Sequence, residues 1–163
     1  MEVLNENMTE DLSEIKRVLR SVWWTQKRLD ADLERLAWLR AKAEGVRGVE
    51  YDRQTVHGGV EHSALEDAVC AIADYEAKIE TKIAQWRAAL DRVTGIIYAV
   101  GDQRYQMLLL YRYRDLWTWE KIAVEMGYSW QYVHRLHSRA LETANEIWRK
   151  QKEAIESDPL DVI

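Results

Sequence analysis

Proline and glycine are scarce, with one Pro and seven Gly among 163 residues, so few points interrupt regular structure. With 47% hydrophobic and 31% charged residues this is the composition of a folded, helix-rich protein, and a disordered chain is excluded. A single cysteine, Cys70, excludes an intramolecular disulfide framework and a multi-cysteine zinc site. That usage suits a reducing, cytoplasmic setting. No stretch approaches the roughly eighteen apolar residues of a membrane span, and the acidic start MEVLNENMTEDLSE lacks the apolar run of a signal peptide. At 163 residues and 19.2 kDa the chain holds one ordinary domain or two small ones.

Net charge is -5, which argues against a protein that coats nucleic acid with its whole surface. The distribution is uneven. Residues 1–101 carry 14 basic against 18 acidic side chains, residues 102–152 carry 9 against 6, and residues 153–163 carry none against 4. A phosphate backbone responds to the nearby patch, because salt screens more distant charge beyond about 10 Å.

Two heptad-like stripes dominate the first hundred residues. Leu12, Ile15, Leu19, Val22, Leu29, Leu33, Leu36 and Ala43 form the first, interrupted by Gln26 and Arg40. Thr9 can cap this helix, Glu10 and Asp11 suit its positive end, and Gly45 supplies a left-handed stop, giving a helix roughly 50 Å long. The second runs through Leu65, Val69, Ile72, Ile79, Ile83, Trp86, Leu90, Val93, Ile97 and Val100, broken only by Glu76. Ser63-Ala64-Leu65-Glu66 reads as a capping box, and Gly101 fits the end. Each stripe is too narrow to be buried alone, and the loop from about Gly45 to Gly59 is long enough to reverse the chain. The expected architecture is all-α: a long antiparallel, coiled-coil-like hairpin over 1–101 that associates into a homodimer or higher homo-oligomer, a helix-turn-helix domain over 102–152, and an acidic tail over 153–163.

Shorter helices follow Gly101. One is expected over Asp102 to Asp115, with Met107, Leu108, Leu110 and Tyr111 among its apolar residues; Thr118 caps a second over Trp119 to Met126; Ser129 caps a last one that fades before Pro159. Within TWEKIAVEMGYSWQYVHRLHSRAL, residues 118–141, Ile122, Ala123, Met126, Val133 and Leu136 are apolar or small where two helices meet, and Gly127 takes the turn. That is helix-turn-helix spacing, whose second helix enters the major groove of double-stranded DNA. Trp130, Gln131, His134, Arg135 and Ser138 then approach base edges. Gln131 can pair with adenine and Arg135 with guanine, while Lys121 and Arg139 can neutralise phosphates and Ser129 can donate to one. Trp117 and Trp119 read as core.

The run Tyr111-Arg112-Tyr113, Trp119-Glu120-Lys121-Ile122-Ala123, Met126-Gly127-Tyr128-Ser129, Val133-His134-Arg135-Leu136-His137 and Ala140-Leu141 resembles the C-terminal part of sigma-70 region 4. More closely, it is similar to phage-encoded regulators of the RinA and ArpU type and related phage proteins, which place that module after a helical region. The likeness is strong over 102–142 and weaker over 51–101, where Tyr51-Asp52 resembles the start of the shared region. It implies a phage or prophage regulator of late transcription that binds a promoter, with RNA polymerase as a further partner. No segment resembles the promoter-melting, core-binding region of a complete sigma factor.

Enzymatic chemistry finds no support. His134 and His137 have no nearby Cys, Asp or Glu to complete a metal site, His57 and His62 flank a Gly-Gly loop as surface groups, and Cys70 reads as a small buried residue. There is no phosphate-binding glycine loop followed by Lys, no zinc-protease pair and no nucleophile elbow. Neither a cofactor nor a metal is expected. Two competitors remain: a DNA-packaging protein of the small-terminase type, disfavoured because its module usually precedes the oligomerisation helices, and an adaptor whose helix-turn-helix binds polymerase instead of DNA.

Overall fold

A computed structural model describes residues 12–50 and 64–157, with side chains at 46–50, 64 and 65 excepted. The Thr9 cap with Glu10 and Asp11, the turn with Tyr51, Asp52, His57 and His62, the Ser63 capping box and residues 158–163 of the acidic tail lie outside the described residues. The fold is all-α, with no strand among the described residues. A helical segment over 12–19 leads into α1 (Ser21–Glu50), followed by α2 (Ala64–Tyr98), α3 (Gln103–Leu109), a π-helical turn (Leu110–Arg114), α4 (Trp119–Met126) and α5 (Trp130–Glu156).

Two departures from the heptad reading concern the first helix. It is interrupted for one residue at Arg20, and Gly45 does not end it: α1 runs on to Glu50. An added Cβ at Gly45 would meet nothing within 4 Å. A glycine in such an open helix position costs only about 1 kcal/mol, too little to stop a 30-residue helix. At the other break, α2 stops at Tyr98, and Gly101 follows without left-handed backbone. The Gln106 side chain donates to the Tyr98 carbonyl at 3.3 Å and to the Val100 carbonyl, satisfying acceptors at the helix end.

The residues pack as two compact units, and the division falls inside both long helices. The hairpin unit comprises 25–87. Leu29, Leu36 and Ile79 are buried there, with Ile72, Tyr75 and Ile83 against them. The polar interruptions Arg40 and Glu76 meet, Nη2 to Oε1 at 2.6 Å. Both side chains are about half exposed, so the pair contributes little energy. It does fix register, since any other alignment leaves one charge facing an apolar seam. Tyr75 donates to Asp32 Oδ1 at 2.8 Å, and Lys82 bonds the other oxygen of the same carboxylate. That Lys82 hydrogen bond holds the Asp32 carboxyl below the usual range. Arg40 pairing with Glu76 and Asp32 with Tyr75 and Lys82 makes α1 and α2 antiparallel here.

Leu33, expected in the seam, is 45% exposed, because the neighbouring Asp32 takes the position facing α2. Val69 is also exposed. Cys70 beside it is exposed rather than buried.

The second unit joins residues 12–24 to 88–157. Ile15, Leu19 and Val22 from the first segment share one core with Val93 and Ile97 of α2, with Val100 just beyond it, and with Leu108, Leu109, Ile122, Val133, Leu136 and Ala140. Fully burying one such Leu, Ile or Val contributes about 1.5–3 kcal/mol. Lys152 near the end of α5 reaches Glu14 at 3.4 Å. The helix expected over 102–115 starts as anticipated, with Asp102 accepting the Arg104 N–H at 2.8 Å, but changes pitch after Leu109. The Asp115 N–H donates to the Leu110 carbonyl at 2.9 Å, a five-residue span, and Leu116 follows with left-handed φ of 57°. Met107 faces outward, while Leu108, Leu109, Leu110 and Tyr113 are buried.

Candidate nucleic-acid interface

Local chemistry sets the geometry of α4, the turn and α5. Thr118 Oγ1 accepts the Lys121 N–H at 3.3 Å and Ser129 Oγ accepts the Tyr132 N–H at 3.2 Å, so both expected caps form. Between them Gly127 takes φ 66°, where an L side chain is strained, and donates to the Val124 carbonyl at 3.2 Å. The Tyr128 N–H donates to the Ala123 carbonyl at 3.0 Å and closes α4. Beneath the turn, Ile122 and Val133 are fully buried and Ala123 and Leu136 nearly so. The start of α5 is therefore held from both sides of the turn.

Gln131, Arg135, Ser138 and Arg139 are exposed on α5, and spacings of four and three place the first three on one face. Ser138 Oγ donates back to the His134 carbonyl at 3.2 Å. The Arg135 guanidinium lies 5.8 Å from the Tyr132 ring. Lys121 is exposed, but its Nζ sits 3.5 Å from the centre of the Trp117 ring, a cation–π contact. Ser129 is spent on the cap, although the first backbone N–H groups of α5 have no intrahelical acceptor. Tyr128 and Tyr132 pack edge to face at 4.8 Å.

His134, three residues after Gln131 and four before Ser138, borders the same face, but its ring is covered. The His134 ring is half-buried, 4.0 Å from Trp130 and 4.5 Å from Trp119, with Nε2 buried and unpartnered. It is less accessible than the exposed side chains of Gln131 and Arg135. Trp130 remains half exposed and screens it. One turn on, His137 Nε2 lies 2.9 Å from the Tyr113 hydroxyl. Burial, reinforced by His134, Lys16, Arg112 and Arg20, pushes the His137 imidazole down to about 4, so it is neutral at pH 7. Burial likewise pushes the Tyr113 hydroxyl up to about 12. Trp117 and Trp119, expected in the core, are partly buried against it.

Charge is balanced over this module. Between 118 and 142, Lys121, Arg135 and Arg139 stand against Glu120, Glu125 and Glu142. The excess of 102–152 comes from the flanks: Arg112 on one side, where Arg104 and Arg114 are paired with Asp102 and Asp115, and Arg149, Lys150 and Lys152 against Glu146 on the other.

His134 and His137 also line a cavity of about 550 Å³. Lys16, Arg20 and Arg112 bring positive charge to it, and sequence reasoning missed all three. The only local signal was the four-residue spacing of Lys16 and Arg20 on the polar side of the first stripe. Their meeting with Arg112 depends on a packing contact nearly a hundred residues away in the chain.

Among the described residues, no group of three or more His, Cys, Asp or Glu side chains could hold a metal ion, and no helix is long and apolar enough to cross a membrane. Fold and site together define an all-α chain in which a helical hairpin is joined to a capped helix-turn-helix with an exposed polar face. Compared with known proteins, it matches no family model, no curated protein and no solved structure.

Proposed function

We propose that the chain is a sequence-specific DNA-binding regulator of phage or prophage transcription, acting on late genes in the cytoplasm of a bacterial host. One observation carries the proposal: a polar face of Gln131, Arg135, Ser138 and Arg139 stands exposed on α5, whose first turn is fixed by the Ser129 cap and the left-handed Gly127. Such a face suits the major groove, with Arg135 one turn from the helix start for a guanine edge and Arg139 a turn beyond for a phosphate. Self-association as a homodimer or larger homo-oligomer is part of the proposal, supported by the exposed Leu33 and Trp38 on the hairpin unit.

The balanced charge over 118–142 favours a second reading, an adaptor whose helix-turn-helix binds RNA polymerase. A footprint on phage DNA followed by salt titrations separates the two. Arg135→Ala should cost about 1–3 kcal/mol on the specific site and relax preference at one base pair, whereas Arg139→Ala should weaken all sequences alike and reduce the salt slope by about one. If neither substitution changes binding to a footprinted site, α5 is not the reading helix.

A further inference from the structure

The cavity beside α5 brings two chemistries together. Its lining includes the indoles of Trp23, Trp24 and Trp119, and it includes Lys16, Arg20 and Arg112 without a single carboxylate. At about 550 Å³ it falls in the range of sites that enclose a small organic ligand. We propose that this cavity binds a free nucleotide, with the base against the exposed indoles of Trp23 and Trp24 and the phosphate between Lys16, Arg20 and Arg112.

Three features support that class of ligand. Lys16 and Arg20 are one helical turn apart, a like-charge arrangement that is unfavourable until an anion sits between them. Arg112 is already oriented: its Nη1 donates to the Trp117 carbonyl at 2.8 Å and its guanidinium lies 4.4 Å from the centre of the Trp119 ring. Its remaining N–H groups are presented in a fixed fork, the geometry that phosphate oxygens accept. Finally, His134 Nε2 is buried with no partner, which is unfavourable for a nitrogen that can hydrogen-bond. A base or sugar offers both donors and acceptors, so it suits that atom in either tautomer once the ring is uncovered. Inorganic phosphate meets the cations but leaves the indoles uncovered, and a nucleoside does the reverse. The site is independent of whether the outer face of α5 reads DNA.

Isothermal titration calorimetry on the full chain tests this with the mono- and diphosphates of adenosine, guanosine, cytidine and uridine, and with adenosine, inorganic phosphate and a short single-stranded oligonucleotide as controls. At least one nucleotide should bind saturably at micromolar concentration, and adenosine and inorganic phosphate should each bind at least about tenfold more weakly. Arg20→Ala and Arg20→Glu, at an exposed position, should weaken the nucleotide about tenfold or more while circular dichroism is unchanged. Lys16→Ala should act in the same direction. No saturable binding of any nucleotide at millimolar concentration overturns the proposal, as does nucleotide binding that is indifferent to Arg20→Glu. Inorganic phosphate binding as tightly as the best nucleotide removes the base from the assignment and overturns it too. An oligonucleotide binding more tightly than every free nucleotide shows the occupant to be part of a strand, again against the proposal.

Discussion

Lowering the pH from 7.5 to 5 should destabilise the helix-turn-helix unit through His137. An unfolded chain takes up this proton at the ordinary histidine value of about 6.5, whereas the buried ring, surrounded by other cations, does so only at about 4. Between those values the unfolded state binds more protons, so stability rises with pH. The contribution is fully present above 6.5 and is lost as the pH falls towards 4. For one such group the linkage relation gives a loss of about 2 kcal/mol at pH 5. Urea unfolding at both pH values, followed by circular dichroism at one protein concentration, should show this loss in the wild type. His137→Gln supplies the comparison, because its amide can still meet the Tyr113 hydroxyl but does not titrate. Carboxylates such as Glu120 and Asp102 titrate in both proteins and cancel in the difference. Equal losses in the two proteins would refute the neutral, buried ring.

Gly127→Ala should cost about 1–2 kcal/mol, entirely from left-handed backbone, because an added Cβ meets nothing within 4 Å; Gly127→Asn should cost less, and thermal melts of both rank them. Ala123→Leu overpacks the buried contact between α4 and α5, so a loss of about 1–3 kcal/mol is expected by urea unfolding. Unchanged stability would show that Ala123 is not a tight contact. Arg40→Glu should destabilise the hairpin by a few tenths of a kcal/mol, about the scale of an exposed pair, and the exchange Arg40→Glu with Glu76→Arg should restore it in a double-mutant cycle.

Much of this architecture is visible in local pattern. Thr118, Gly127 and Ser129 announce the helix-turn-helix because caps and left-handed turns depend on a few adjacent residues, and these form as their chemistry requires. The heptads identify the hairpin for a similar reason. Periodicity says which residues share a face but not what that face meets, so Leu33 reads as core although Asp32 takes the contact with α2. The same limit applies on α5. Gln131 and Arg135 can be placed outward from spacing, whereas the half-buried state of His134 depends on Trp119 and Trp130 closing over it. Lys16 and Arg20 look like solvated seam neighbours until Arg112 is packed beside them.

The sharing of one core by residues 12–24 and 88–157 has a consequence for how the protein is made. Ile15, Leu19 and Val22 leave the ribosome before the rest of their core, and Leu136, Ala140 and Ala144 follow more than a hundred residues later. At about 5–20 residues per second, those first apolar groups wait on the order of ten seconds for their partners. Residues 25–87 can pair locally in the meantime, since their antiparallel contacts close through a single connection. Synthesis therefore passes through a nascent chain whose hairpin is paired while Ile15, Leu19 and Val22 are still uncovered, and a holding chaperone should act in that interval. The same dependence dictates where the gene can be cut: a fragment beginning at Gly101 discards Ile15, Leu19, Val22, Val93 and Ile97 and leaves Leu108 and Ile122 without part of their covering, so it should aggregate more readily than the 163-residue chain.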